Sequence, residues 1–166
     1  MIFKFLSKNF YIGFFVVILI YFLDRLSKIY VIQLDKNNFG SDIFNSSYLN
    51  IVLIWNKGIA FGLFSFNEMY LYNILTLIIL IIIIMLIVMS VKNHRFKRYS
   101  LLMVVGGALG NLHDRIFYNA VPDFIDFHVG EFHWFIFNVA DIFITTGIIF
   151  MILCEIVGNN NKNEKI

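Results

Sequence analysis

The chain has 166 residues, of which 60% are hydrophobic and only 14% charged, with 20 phenylalanines and a mean hydropathy of +0.79. That is too apolar for a soluble domain of this length and marks an integral membrane protein. A formal net charge of +2 argues against a nucleic-acid partner, and the single cysteine, Cys154, excludes an intramolecular disulfide and reads as a buried, inert thiol.

A helix needs about 20 apolar residues to cross a bilayer, and four segments approach that length. The first covers about 10–34 and is interrupted late by Asp24, Arg25 and Lys28. Lys4 and Lys8 precede it, as in a signal peptide, but no small-residue cleavage site follows and the apolar pattern resumes after Lys28, which favours a retained helix. An outer loop of about 35–68 comes next. Within it Tyr48 to Trp55 is rich in strand formers, Asn56-Lys57-Gly58 reads as a turn, and Ile59 to Phe66 is apolar again, a pattern suited to lying on the membrane surface.

The second helix, 69–91, carries no charge and is followed by Lys92, Arg95, Lys97 and Arg98 in a predicted loop of 92–98. The third covers about 99–118 and is charged near its end, at Asp114 and Arg115; a second outer loop, 119–133, precedes the fourth helix at 134–157. The Asn- and Lys-rich tail, 158–166, is expected to be disordered. Lys4, Lys8, the four basic residues of the 92–98 loop, Lys162 and Lys165 make eight of the thirteen Lys and Arg, and four crossings put all eight on one side. By the positive-inside rule both termini are cytoplasmic. The expected fold is therefore an all-α integral membrane protein, a single membrane domain of four transmembrane helices with a small β-rich or amphipathic extracytoplasmic loop region.

The polar motifs fall at the outer helix ends, so this topology brings separate segments to one depth. Asp24 and Lys28 share a helix face, as do Asn111 and Arg115, with Asp114 one turn from Asn111; Asn138 and Asp141 are likewise three apart. Asp24 and Lys28 read either as a self-neutralising pair with Lys28 snorkelling outward or as support for a site. Gly106-Gly107-Ala108-Leu109-Gly110 reads as a small-residue helix-packing face or as a glycine-lined groove, and it lacks the Lys-Ser/Thr of a phosphate loop.

Asp123 and Asp141 carry the chemistry. Eighteen residues apart, they would be about 27 Å apart on one continuous helix, but Pro122, Gly130 and the polar loop between them argue that the chain turns back. Two juxtaposed carboxylates cannot both ionise cheaply, so one keeps a proton while the other activates water. A proton relay and structural pairing are the alternatives for this pair. His113, His128 and His133 raise a metal site only weakly, since no H-E-x-x-H is present.

Five motifs in order, Asp24-Arg25-Leu26-Ser27-Lys28, Asn56-Lys57-Gly58-Ile59-Ala60-Phe61, Gly106 through Arg115, Val121-Pro122-Asp123-Phe124 and Phe137-Asn138-Val139-Ala140-Asp141, give a chain that resembles lipoprotein signal peptidase, the bacterial type II signal peptidase, over nearly its whole length. The resemblance implies an aspartic endopeptidase of the bacterial cytoplasmic (inner) membrane, its site near the extracytoplasmic face. It would remove the signal peptide of diacylglyceryl-modified prolipoproteins just before the lipidated cysteine, with no metal or other cofactor. The family's dyad falls on Asp123 and Asp141. Supporting roles fall on Asp24, Lys28, Asn56, Gly58, Asn111, Asp114, Arg115 and Asn138, with Asp114 a competitor for Asp123 on sequence alone. Arg25 and Ile142 depart from the family pattern, which commonly has Gln and a small polar residue there. Implied partners are the prolipoprotein and membrane lipid, with a monomer as the default. Apart from the resemblance, the rivals are a proton-coupled transporter, disfavoured by four helices with polar residues at one face, and a helix-packing scaffold, which leaves the aspartates without a purpose.

Overall fold

The computed structural model describes residues 8–38, 43–58 and 69–163; the apolar run from Ile59 to Phe66 lies outside them. Four long helices dominate: α1 (Lys8–Asn37), α2 (Met69–Lys92), α3 (Arg95–Tyr118) and α4 (Val139–Asn163). A four-stranded antiparallel sheet, in the order β1 (Phe44–Asn45), β2 (Leu49–Asn56), β3 (Val121–Val129), β4 (Phe132–Phe137), is inserted between α1 and α2 and between α3 and α4.

Among the described residues, α1, α2 and α4 contain stretches long and apolar enough to cross a membrane. Their outward faces are large hydrophobics, such as Phe14 and Phe15 on α1, Ile84 and Met85 on α2, and Ile152 and Ile156 on α4. In water such faces would be an aggregation hazard; in lipid they are the expected surface. The central helix α3 is different. It packs against α1, α2 and α4, and most of its buried residues are small or polar, including Ser100, Gly106, Gly107, Gly110, Asn111 and Asp114. A helix screened from lipid by three neighbours need not be apolar all round, which is why α3 has the weakest hydropathy of the four.

The glycines of α3 set its distance from two partners. A Cβ at Gly106 would stand 2.9 Å from the Ile20 side chain of α1, and one at Gly107 would come within 2.5 Å of the Ala140 carbonyl oxygen of α4. Gly110 faces the Asp24 carboxylate. The glycine run therefore packs helices closely and also leaves room for a buried charge. On its other side α3 contributes Val105 and Leu112 to a core with Ile83 of α2.

Several boundaries differ from the sequence expectation. The predicted 92–98 loop shrinks to Asn93 and His94, because Arg95 takes φ of 51° and turns the chain straight into α3. The fourth helix begins at Val139 rather than near 134, since Trp134–Phe137 are claimed by strand pairing with β3. The turn-back lies at Gly130, with φ of 58°, in the β3–β4 connection; Pro122 is not at the turn but inside β3, opposite Trp55. The tail expected to be disordered continues α4 through Asn163; adding residues to an existing helix avoids the nucleation cost that an isolated segment would face.

Candidate active site

The outer end of the bundle meets the sheet through a set of asparagines. β2 and β3 pair antiparallel with Asn56 opposite Val121 and Ile54 opposite Asp123, which brings the Asn56 side chain over the Asp123 carboxyl. Asn56 Nδ2 donates to Asp123 Oδ2 at 2.9 Å, and Asn138 Nδ2 donates to Asp123 Oδ1 at 2.6 Å. Asp123 is therefore held by amides from two elements far apart in sequence.

Asp141 is fixed by the start of its own helix. Asn138 is the N-cap of α4: its Oδ1 accepts the Asp141 N–H at 3.1 Å, while the Asp141 Oδ2 accepts the Asn138 N–H at 3.2 Å. This is a reciprocal capping box, with Asp in place of the commoner Glu. The other carboxylate oxygen accepts from Asn111 Nδ2 of α3 at 2.8 Å. A carboxylate in the first turn is also favoured by the helix dipole. One asparagine, Asn138, thus touches both aspartates.

Burial, and after it the charge of Asp141, push the Asp123 carboxyl up from 3.8 to about 6, against the Asn56 and Asn138 donors and the charge of Lys28, which pull it down. Asp123, Asn138 and Asp141 are all buried, so the two carboxylates interact with little screening by water. From this follows an expected result for Asn138→Ala. Loss of the cap costs about 1–2 kcal/mol, read as a lower Tm in detergent. Because one of its two amide donors is gone, the Asp123 carboxyl also rises further, read as an upward shift in the pH dependence of activity. An unchanged Tm and profile would dispose of this double role.

Behind the pair is a buried ion cluster. Lys28 Nζ donates to Asn111 Oδ1 at 2.7 Å, to Asp114 Oδ2 at 2.7 Å, and lies 2.9 Å from Asp24 Oδ1. Since Asn111 accepts from Lys28 with its oxygen, its amide nitrogen is left facing Asp141. Arg25 forks onto Asp114 at 2.5 and 2.7 Å and reaches Asp24 at 2.8 Å. Two cations and two anions balance, as burial requires. Asp24 also accepts the Ala140 N–H at 3.0 Å, satisfying an orphan donor of the α4 N-terminus.

The reading in which Lys28 snorkels outward is overturned: it is 1% exposed, and acceptors on α1 and α3 outweigh the gain of reaching water. Asp114, weighed against Asp123 on sequence, spends both oxygens on Arg25 and Lys28. Arg115 donates to the Gly58 carbonyl at 2.7 Å, and the Gly58 N–H donates to Asn56 Oδ1 at 2.8 Å. The β2 end is thereby tied to α3. Arg25, seen in sequence only as a departure, is a full member of the cluster, while Ile142 is exposed on α4 beside Asp141.

The histidines go elsewhere. His113 is bonded to Tyr21 at 2.9 Å, and His133 bonds Asp126 at 2.8 Å and stacks on His128 out on the sheet. Beside Asp141 opens a cavity of about 400 Å³ walled by Phe127, Trp134, Phe135 and Phe137 of the hairpin and by Ile142 and Thr145 of α4. An almost wholly apolar recess ending at a carboxylate fits an apolar segment that must present a polar bond.

An apolar helix bundle with two neighbouring buried carboxylates at one end, one on strand β3 and one on helix α4, held by amide donors beside an apolar recess, is equipped as a membrane enzyme with acid–base chemistry. Comparison with known proteins gives the family. The family model for signal peptidase (SPase) II matches residues 16–157. The lipoprotein signal peptidase of Pelagibacter ubique (strain HTCC1062) is 50% identical over 95% of this chain and 96% of its own. That of Anaplasma phagocytophilum (strain HZ) is 40% identical, over 92% and 96%. A bacterial membrane enzyme solved by the in meso method at 2.3 Å resolution superposes with a TM-score of 0.74 at 28% identity, covering 90% of each chain. The chain belongs to the signal peptidase II family, and is a peptidase.

Proposed function

We propose that this chain removes the signal peptide from diacylglyceryl-modified prolipoproteins, cleaving just before the lipidated cysteine, with Asp123 and Asp141 as the catalytic dyad. The observation that carries the assignment is the pair itself: both carboxylates buried, bridged by Asn138, with Asp123 raised to about 6 in part by its neighbour. One proton shared by the pair is the state that aspartic chemistry requires.

Asp141 receives two N–H donors at a helix N-terminus, which suits it to be the ionised member and to take a proton from the attacking water. Asp123, keeping its proton, donates to the scissile carbonyl oxygen. The roles exchange as the amine leaves. No covalent intermediate is needed. The apolar recess beside Asp141 receives the apolar part of the substrate, so that lipid anchoring and recess together align the peptide bond with the dyad.

The membrane reading supports this. α2 and α3 are each 24 residues long and joined by two, so they run antiparallel through the same thickness, and α3 makes the third of four crossings shielded by its neighbours. With Lys and Arg concentrated at the opposite end, the site lies at the extracytoplasmic face of the cytoplasmic membrane and both termini are inside. The substrate then enters from lipid, and one copy of the chain suffices.

The test is cleavage of a diacylglyceryl-modified prolipoprotein by the purified protein in detergent, followed against pH. Asp123 has a folded value above its unfolded one, so the native state holds the extra proton between about 4 and about 6 and loses it as pH rises. Turnover should therefore fall, with loss of one proton, as pH rises through about 6. Thermal stability should fall across the same interval in the wild type and less steeply in Asp123→Asn. A well-folded protein that never cleaves the lipidated substrate would defeat the assignment.

A further inference from the structure

Among the described residues, the buried side-chain polar atoms left without a hydrogen-bond partner are Tyr72 Oη and the Nε atoms of Arg25, Arg98 and Arg115. Arg98 lies in the first turn of α3, at the opposite end from the carboxylates. Arg25 already spends its terminal nitrogens on two carboxylates. Tyr72 and Arg115 are a different case. Tyr72 sits in the first turn of α2 and Arg115 in the last turn of α3; because these helices are antiparallel neighbours, the two side chains come to one depth, within electrostatic reach of each other. Arg115 is in turn within reach of Asp123 and Asp141 and holds the Gly58 carbonyl, one hydrogen bond from Asn56 and two from Asp123.

Tyr72 is 3% exposed, so its hydroxyl cannot turn to bulk solvent. A buried hydroxyl without a partner is a standing cost to the fold. Proteins retain such costs at sites where a ligand completes the bonding. The neighbouring unpaired group, Arg115 Nε, can only donate, and a tyrosine hydroxyl beside a guanidinium is likewise set to donate. What completes both is an acceptor. In a peptidase site reached by an extended chain, the acceptor is a backbone carbonyl oxygen.

We propose that Tyr72 is a substrate-binding residue whose hydroxyl donates to a backbone carbonyl of the bound signal-peptide segment, beside Arg115. This rests on the peptidase reading above and adds to it a contact from α2, a helix that otherwise supplies no polar group to the site. Nothing in the sequence singled Tyr72 out, because a tyrosine at a helix end is the ordinary membrane-interface residue; the signal is the burial of its hydroxyl.

The experiment is Tyr72→Phe, which keeps the ring and deletes only the oxygen. In the full-length protein in detergent, kcat/KM on a lipidated prolipoprotein should drop roughly tenfold, as for one lost neutral hydrogen bond, while Tm stays level or rises because an unsatisfied group has gone. A second arm does not depend on turnover: the thermal stabilisation given by a diacylglyceryl-cysteine peptide spanning the cleavage site, compared between Asp123→Asn and Asp123→Asn with Tyr72→Phe. The peptide should stabilise the second protein less. If cleavage fails in the wild type yet this difference persists, the peptidase reading falls and the Tyr72 contact stands. Kinetics within about twofold of wild type with equal peptide stabilisation, as a bound water serving as the sole partner would give, overturns the contact, as does a peptide that stabilises neither protein.

Discussion

Asp123→Asn and Asp141→Asn should each reduce cleavage of a lipidated prolipoprotein by about 10³-fold or more, within the range that general acid–base groups supply. Neither change alters side-chain shape, yet each removes the ability to share a proton. The local cost to the fold is calculable. Asp123 accepts from Asn56 and from Asn138 on separate oxygens; an asparagine there has one acceptor oxygen, so one donor loses its partner, at about 1–3 kcal/mol. Against this, the amide relieves both the burial of charge and the repulsion between the carboxylates. Folding should therefore survive while turnover does not.

The double variant decides the mechanism further. Two groups that work on one proton act as a unit, so Asp123→Asn with Asp141→Asn should be scarcely slower than either single change. Initial rates on the purified proteins, each shown folded by its Tm, give the comparison. Either single variant retaining about a tenth of wild-type kcat/KM would be far too active for a dyad.

Asp114→Asn should show the opposite pattern, a large loss of stability with a smaller loss of rate. Asp114 is completely buried and accepts two bonds from Arg25 and one from Lys28. Neutralising it leaves Asp24 alone to balance two cations. Removing one partner of a buried ion pair costs about 3–5 kcal/mol, because the remaining charge stays out of water. Lys28 nevertheless keeps Asp24 and Asn111, and Asn111 keeps its amide directed at Asp141. At a temperature where the variant is folded, cleavage should persist within roughly tenfold to a hundredfold of wild type. Thermal unfolding and cleavage measured on one preparation separate the effects. A normal Tm with turnover abolished would move Asp114 into the reaction itself and displace Asp123 from the pair.

Arg25 bears on the same cluster. It is the second cation that brings the buried group to neutrality. Its fork fits the Asp114 carboxylate in a way a lysine could not reproduce.

Much of this arrangement is local, and local physics is written in sequence. Long runs of Ile, Leu and Phe demanded helices of membrane length, because an unpaired backbone cannot be hidden in lipid. The spacing of Asn138 and Asp141 implied a shared helix face, and the structure realises it as a capping box. Tyr48 to Trp55 showed strand composition, and the strand formed is Leu49–Asn56, which takes in the first residue of the expected turn. The motif resemblance pointed to the family to which the chain belongs.

Other features were beyond any local pattern. Sequence could place Asp24 and Lys28 on one face but not say whether that face met lipid or protein, since the sign of the burial free energy depends on acceptors that Asn111 and Asp114 supply from α3. Trp134 to Phe137 are apolar enough for a helix start, and only pairing with β3 makes them a strand. The turn at Gly130 was foreseen as part of a returning loop, but the meeting of Asp123 and Asp141 at Asn138 required the hairpin register and the closeness of α3 to α4 at Gly107. The sequence by itself determined the helices, the polar ends and the family resemblance, each a matter of composition or short spacing. Tertiary structure alone decided which charges are buried together, that Arg25 completes them, and that the Tyr72 hydroxyl is left without a partner, because these depend on helix rotation and on contacts between residues far apart in the chain.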